Sequence, residues 1–421
     1  MRLMINIRTV LLIAAVMAAV ASCDTDVEPD DDPETDEFYE GPIYISNTSS
    51  ASVTVIDGKT QTVNRTIDLS KVVEGGANQS HFISVTHNGR YLWVGERQSS
   101  KDGRTLVVDL EDGDRVVRNF NYGAHIGMHI SHDGKWIFAV AAGKGEVDGI
   151  NYNNSINIYD ALNLSYVGKI NHGSAPHVME TSPDNKTLWT TDAGGGKVIA
   201  YDISTLPDAV PQTPSRQIDI LAQLKEKYAD KFADLESTTL HAFAVHPSGK
   251  YLFVGSFHHG ENTPGGGDVV VDIEAGEIVH RIPGGPHNYD ISPDGKYLLS
   301  GESDQPDCEE SEYLNHHNHT DIEGPLVRII DITALSGAGA IDWSLIKVVN
   351  TINSAALGAG SINHQAYTPD GKFIYVTTSA PRASETGNGI VLIVNADTLT
   401  LEKSLEVGRH PHGVVVPGYG R

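Results

Sequence analysis

Cysteine is scarce: the 421 residues hold two, Cys23 and Cys308. With Cys23 assigned to an export signal below, no disulfide framework can be built. Positive charge is also short, with 30 Lys and Arg against 55 Asp and Glu, a formal net charge of −25. An acidic body repels phosphate backbones, so no nucleic-acid partner is expected. Long apolar stretches with helical periodicity are rare and there are 42 glycines, which argues against a helical protein. Several catalytic signatures are missing as well: no Gly-x-Ser-x-Gly elbow, no Gly-x4-Gly-Lys-Ser/Thr loop and no His-Glu-x-x-His. At 39% hydrophobic residues, the chain still has ample material for a core.

The first 23 residues read as an address. Arg2 and Arg8 precede an apolar run, Val10 to Val20, that is too short to span a bilayer comfortably. The run ends in Val20-Ala21-Ser22-Cys23, which resembles a bacterial lipoprotein signal. That resemblance implies lipidation of Cys23, export, and a membrane partner through the lipid anchor. The expected location is the bacterial cell envelope, on the periplasmic side or the cell surface. Residues 24–40, DTDVEPDDDPETDEFYE, carry ten acids and no base and read as an extended, solvated linker. Without the signal and the linker, the body from residue 41 keeps a charge of −17, so the acidity is not only a tail effect.

The body, 41–421, is a repeat. An extended run, a tight turn and a second extended run recur as HFISVTHNGRYLWVGE from His81, HIGMHISHDGKWIFAVA from His125 and HVMETSPDNKTLWTTD from His177. They continue as HAFAVHPSGKYLFVGS from His241, HNYDISPDGKYLLSGE from His287 and HQAYTPDGKFIYVTTS from His364. The turns and their β-branched, aromatic flanks are hairpin signals. A third run ending in Asp follows most hairpins, as in LVVDL at 106–110 and VIAYD at 198–202, and a fourth closes the unit. Four antiparallel strands per unit, repeated, predict an all-β fold, a β-propeller. The count is seven. Three strands at 43–47, 52–57 and 62–69 lack an inner partner, and the C-terminal His412-Gly-Val-Val-Val supplies it, so the two ends of the chain share a blade. One insertion, near 210–236, breaks the period. Ile218, Leu221, Leu224, Tyr228 and Phe232 mark a helical stripe there, read either as packed on the rim or as a cap over one face.

Histidine carries the chemical signal. There are 19, and one opens the innermost strand of every blade: His81, His125, His177, His241, His287, His364 and His412. Inner strands line the channel and their starting ends share one face, so these imidazoles should ring the channel mouth. Imidazole suits copper, zinc, iron and nickel, and a converging set of neutral nitrogen donors is what such a metal needs. His81, His177, His241 and His287 share one spacing to the turn, eight residues. His125 at nine and His364 at seven are out of register and should point differently. Glu96, Asp192 and Glu302 end second strands on the same face, as further ligands or as partners that hold an imidazole tautomer. His129, His258, His259, His316, His317, His319 and Cys308 are additional candidates. His87, His132 and His246 sit in or beside turns and read as solvated. The alternative use of a strand-start histidine is structural, with the imidazole bonded to a neighbouring blade's backbone.

The phrase YISNTSSASVTVID with the repeated turn resembles the YVTN family of propellers, over roughly residues 43–417. A seven-bladed propeller with a histidine from each blade is also similar to the propeller of nitrous oxide reductase and to copper-containing thiocyanate dehydrogenase. Lactonase-type propellers are a further relative. The copper resemblance implies a metal held by the seven strand-start histidines, with copper favoured as cofactor and, if the protein is an enzyme, a metal-dependent oxidoreductase activity. The alternative is a metal-free scaffold that takes a small ligand or a protein partner on the channel face.

Overall fold

The computed structural model describes residues 39–71, 79–96, 103–122, 124–142, 146–147, 150–151, 154–232, 235–259, 266–284, 286–302, 326–337, 339–380 and 387–417. They fold as a ring of seven four-stranded antiparallel sheets, a seven-bladed β-propeller. Blade one runs from the channel outward as Ser80–Val85, Tyr91–Glu96, Thr105–Asp109 and Arg115–Phe120. The inner strands of blades two to six are Ala124–Ile130, Pro176–Thr181, Ser237–Val245, Pro286–Ile291 and Ile362–Tyr367. Blade seven is shared by the chain ends. Its inner strand, Pro411–Val415, pairs with Pro42–Asn47, followed outward by Ser52–Asp57 and Thr62–Asp68.

The tight turns are those the repeat predicts. Gly89, Gly134, Gly249, Gly295 and Gly371 sit at φ between +68° and +73°, a region closed to most L-residues. Asn185 takes the same place at φ 57°, which asparagine tolerates best among non-glycine residues.

Each sheet is buried on both faces, because it is sandwiched between its neighbours. This is why the middle strands are near-continuous apolar runs, such as Val269, Val270 and Val271, rather than an alternation. Among the described residues there are seven buried clusters, one in each seam between adjacent blades. In blade seven, Ile43 and Ile45 face blade six, while Tyr44, Val53 and Val55 face blade one.

Two short helices, α1 (Ile220–Lys227) and α2 (Ala229–Phe232), connect blades three and four. Asp219 caps α1, its carboxylate accepting from the Ala222 amide at 2.8 Å. Ile220, Leu224, Phe232 and Leu235 are buried in the seam between these blades. The Gln223 side chain donates to the Gly276 carbonyl and accepts from the Ile278 amide, and Lys227 pairs with Glu277. The segment thus lies against the outer strand of blade four, Glu277–Pro283. The insertion is narrower than the sequence suggests, because Arg216–Asp219 is the fourth strand of blade three. Excising 210–236 would remove that strand together with the apolar plug.

Candidate functional site: an arc of imidazoles at the channel mouth

The inner strands do not run straight through their histidines. In blades one and three to six, the ladder to the second strand slips by one residue at the histidine: between Ser80 and Phe82, Pro176 and Met179, Leu240 and Ala242, Pro286 and Asn288, and Ile362 and Gln365. In blade seven the slip lies between Pro411 and Val414, around His412. In blade two it falls one residue later, between His125 and Gly127. Each slip is a β-bulge, an extra residue that bends the strand and re-aims a side chain. The bulge explains the correction to His364. Counting from the turn puts it out of register, yet its ring lies 4.3 Å from that of His412.

Six imidazoles follow one another around the channel. Ring centroids lie 4.2 Å apart for His177 and His241, 4.3 Å for His241 and His287, and 6.0 Å for His287 and His364. The series continues at 4.3 Å from His364 to His412 and ends at 3.8 Å from His412 to His81. His125 occupies the remaining inner strand, in Ala124–Ile130.

Hydrogen bonds define two of the tautomers. His241 Nδ1 lies 3.0 Å from the His287 carbonyl, and His287 Nδ1 lies 3.2 Å from the Asn363 carbonyl. A carbonyl only accepts, so both Nδ1 atoms carry the proton, and on the neutral ring of His287 the Nε2 atom keeps its lone pair. Both proposed uses of these histidines therefore coexist, since a bond to the neighbouring blade's backbone is also what orients a metal-binding imidazole. His412 Nδ1 is buried with no hydrogen-bond partner among the described residues.

Burial and the neighbouring imidazoles hold His287 and His412 well below the usual histidine range. Burial, with His241 beside it, brings His364 down to about 3. The rings are neutral at neutral pH. An unfolded histidine takes its proton near 6.5, so below that pH the unfolded chain binds more protons than the folded one. Stability should be complete above about pH 6.5 and fall as the pH drops toward the folded values. The slope approaches about 1.4 kcal/mol per pH unit for each such histidine. Urea midpoints at pH 7, 6 and 5 check this: a steady fall is expected, flattened in His364→Gln, and constant midpoints would contradict it.

The other candidates fall in different places. Glu96, Asp192 and Glu302 pair across the ladder with Ser80, Pro176 and Pro286, one residue before a strand-start histidine and one strand outside the ring. Arg104 binds Glu96 at 2.7 Å, Arg328 binds Glu302 at 2.6 Å, and Asp192 accepts from the Gly195 amide at 3.0 Å. His129 turns into the seam with blade three, where its Nε2 accepts from the Thr181 amide at 3.1 Å. His258 and His259 lie at the end of the strand Tyr251–His259. Cys23, Cys308, His316, His317 and His319 lie outside the described residues. Among the turn histidines, His87 is exposed, but His246 is not solvated: it is buried, and its Nδ1 pairs with Ser248 Oγ at 2.8 Å.

Sequence reasoning missed Phe82. Strict alternation sends the residue after each histidine away from the channel. The bulge at His81 breaks that alternation, and the Phe82 ring meets His81, His364 and His412 at centroid distances of 4.9, 5.5 and 5.3 Å. It also missed a buried network between blades four and five. Arg328 Nη2 lies 2.7 Å from Asp268, whose carboxylate also accepts from the Tyr289 and Ser300 hydroxyls at 2.7 Å each.

Among the described residues, no three His, Cys, Asp or Glu side chains converge on a point where a metal ion could sit. The imidazoles pack against one another instead. No helix among them is long and apolar enough to cross a membrane.

Residues 42–219 match the family described as "Lactonase, 7-bladed beta-propeller". Comparison with curated proteins finds no match. Among solved structures, the chain is similar to hydrazine synthase of Kuenenia stuttgartiensis, with 21% identity, TM-score 0.59, 84% of this chain covered and 92% of that one. It is also similar to the β-propeller domain of Cps50 (Swd1) from Myceliophteria thermophila, with 17% identity, TM-score 0.55 and coverage of 81% and 92%. A protein of unknown function from Desulfotomaculum acetoxidans superposes with 11% identity, TM-score 0.61 and coverage of 89% and 98%. At these identities the likeness is one of fold.

Proposed function

We propose that this is a lipid-anchored envelope propeller whose histidine arc binds a transition-metal ion, copper favoured. The observation that carries the reading is the arc itself, six consecutive imidazoles whose centroids are 3.8 to 6.0 Å from the next. Packing them together buries polar nitrogens and opposes protonation, a cost that aliphatic side chains would avoid. The residue type is therefore explained by its lone pair. The anchor rests on Cys23 after Val20-Ala21-Ser22.

The donor set fits such an ion in kind: imidazole nitrogens, with the Nδ1 atoms of His241 and His287 tied to backbone and an unpartnered Nδ1 on His412. His241 and His287, with His177 beside them, would hold it. In the present packing the rings face each other, so binding requires them to rotate until their nitrogens point inward. Copper, when bound, would supply a one-electron redox couple at the channel mouth. Glu302, held by Arg328 beside Pro286, steadies the strand end that presents His287.

The lactonase match over 42–219 favours a second reading, a metal-free small-molecule site. A neutral imidazole with a bare Nε2 is a general base at neutral pH, the form that lactone hydrolysis needs.

The test is copper uptake by the wild type, His287→Ala and His87→Ala, each checked for folding. His87 is the control because it is exposed in a turn. Wild type and His87→Ala should bind alike, and His287→Ala at least tenfold more weakly. Equal affinity in all three removes the arc as the site, and turnover of simple lactones by the metal-free protein would then support the second reading.

A further inference from the structure

The described chain starts and finishes on one face of the propeller. Inner strands begin at the histidine mouth and end at the hairpin turns. In blade seven Tyr44 pairs with Val415 and Asn47 with Pro411, so Pro42–Asn47 runs the opposite way and begins on the turn face. Tyr39, three residues earlier, is held there. Its amide donates to the carboxylate of Asp370, in the hairpin turn of blade six between Ile362–Tyr367 and Phe373–Thr378. Its hydroxyl lies 3.2 Å from the Pro42 carbonyl and 3.4 Å from that of Pro417, just beyond the end of the inner strand. The ring packs on the seam between blades six and seven, and Gly41 makes room for it: a Cβ there would fall 2.3 Å from the Tyr39 hydroxyl oxygen. Glu40 beside it pairs with Lys59.

Cys23 lies sixteen residues before Tyr39, a reach of at most about 55 Å when fully extended. To bring the mouth against a bilayer, that stretch would first have to pass outward across Ser52–Asp57 and Thr62–Asp68, about 10 Å, and climb the blade edge, about 20 Å. More than half of the reach would be consumed. The stretch would also lie along like charge, since residues 24–40 carry ten acids and no base and the body from residue 41 carries −17. Arg65, the base of the outermost strand on that flank, is already engaged by Asp114 at 2.7 Å. With the turns toward the bilayer neither cost arises.

We infer that the turn face is the membrane-facing side and that the histidine mouth opens away from the bilayer, so that its ligand arrives from the aqueous phase as a water-soluble ion or small molecule. This rests on the lipid-anchor reading above, but not on what the arc binds.

The probe is the full-length protein, exported and matured in a bacterial host. It is reconstituted with phosphatidylethanolamine–phosphatidylglycerol vesicles that carry an energy-transfer acceptor on the headgroup. In a Cys308→Ser background, a donor dye is placed by Lys296→Cys in a turn or by Ala175→Cys at the mouth, one residue before Pro176, both exposed positions. Transfer to the bilayer should be at least twofold more efficient from position 296. Repeating residues 24–38 to double the tether should shrink that contrast, since a longer stretch can pass the blade edge. Equal transfer from both positions, or more from 175, in protein that floats with the vesicles overturns the orientation while leaving the anchor intact. Protein that does not float with the vesicles, or that floats no better than Cys23→Ser, overturns the anchor reading itself.

Discussion

Removing residues 412–421 should open the ring and cost the protein most of its stability. The deleted segment carries nearly all of the inner strand Pro411–Val415, which joins blade seven to blade six on one side and blade one on the other. Its ladder to Tyr44 and Ile45 would be lost, leaving a long apolar strand edge exposed. The loss extends to the seams. Val416 leaves the core that blade seven shares with blade six, the Thr377 hydroxyl loses the His412 carbonyl at 2.7 Å, and Ser46 Oγ loses the Gly413 amide at 2.8 Å. The expected penalty exceeds about 5 kcal/mol, the whole margin of many domains. The thermal melt of the truncated chain checks this: collapse or aggregation is expected, and an unchanged midpoint would show that the shared blade does not close the ring.

A single side chain should have the next largest effect. Arg328 is almost fully buried and serves two buried carboxylates at once, Asp268 at 2.7 Å and Glu302 at 2.6 Å. It also donates to the Pro283 carbonyl at 2.7 Å and the Ser300 hydroxyl at 3.0 Å. Asp268 and Pro283 belong to blade four and Arg328, Ser300 and Glu302 to blade five, so the cluster ties two blades together. In Arg328→Leu two carboxylates are left without a cation, a loss of about 3–5 kcal/mol. Lysine should restore little of it, since a point charge cannot reproduce the forked geometry that spans both acids. Urea unfolding at pH 7 measures the loss in both variants. A loss under 1 kcal/mol at pH 7 would mean that the network contributes nothing net.

The blades were readable in the sequence because the repeat writes the same local instruction many times. A hairpin whose left-handed position is glycine in five turns and Asn185 in a sixth leaves one architecture available. The closing of the ring was also legible, since three N-terminal strands without an inner partner and one C-terminal strand without a blade complete each other. The fine aim of the side chains was not. A bulge is one extra residue whose position shows only in the pairing partner, so counting back from the turn misplaced His364 and hid Phe82. Nor did spacing reveal that Arg104 and Arg328 hold Glu96 and Glu302, because those arginines lie on the third strand or in the loop before it and meet their acids only across the ladder. His246 read as solvated because it neighbours a turn, but it is buried, its ring meeting those of Tyr251 and Phe253 in the next strand.

The central claim is that the strand-start imidazoles are metal donors. An acidic chain of net charge −25 will also collect cations loosely on its carboxylates, so uptake alone says less than the identity of the first shell. The X-ray absorption spectrum of the copper-loaded, full-length protein after gel filtration separates the two. The account predicts a first shell of nitrogen near about 2.0 Å with the multiple scattering that imidazole rings produce. A first shell of oxygen alone would contradict it and assign the metal to the acidic surface.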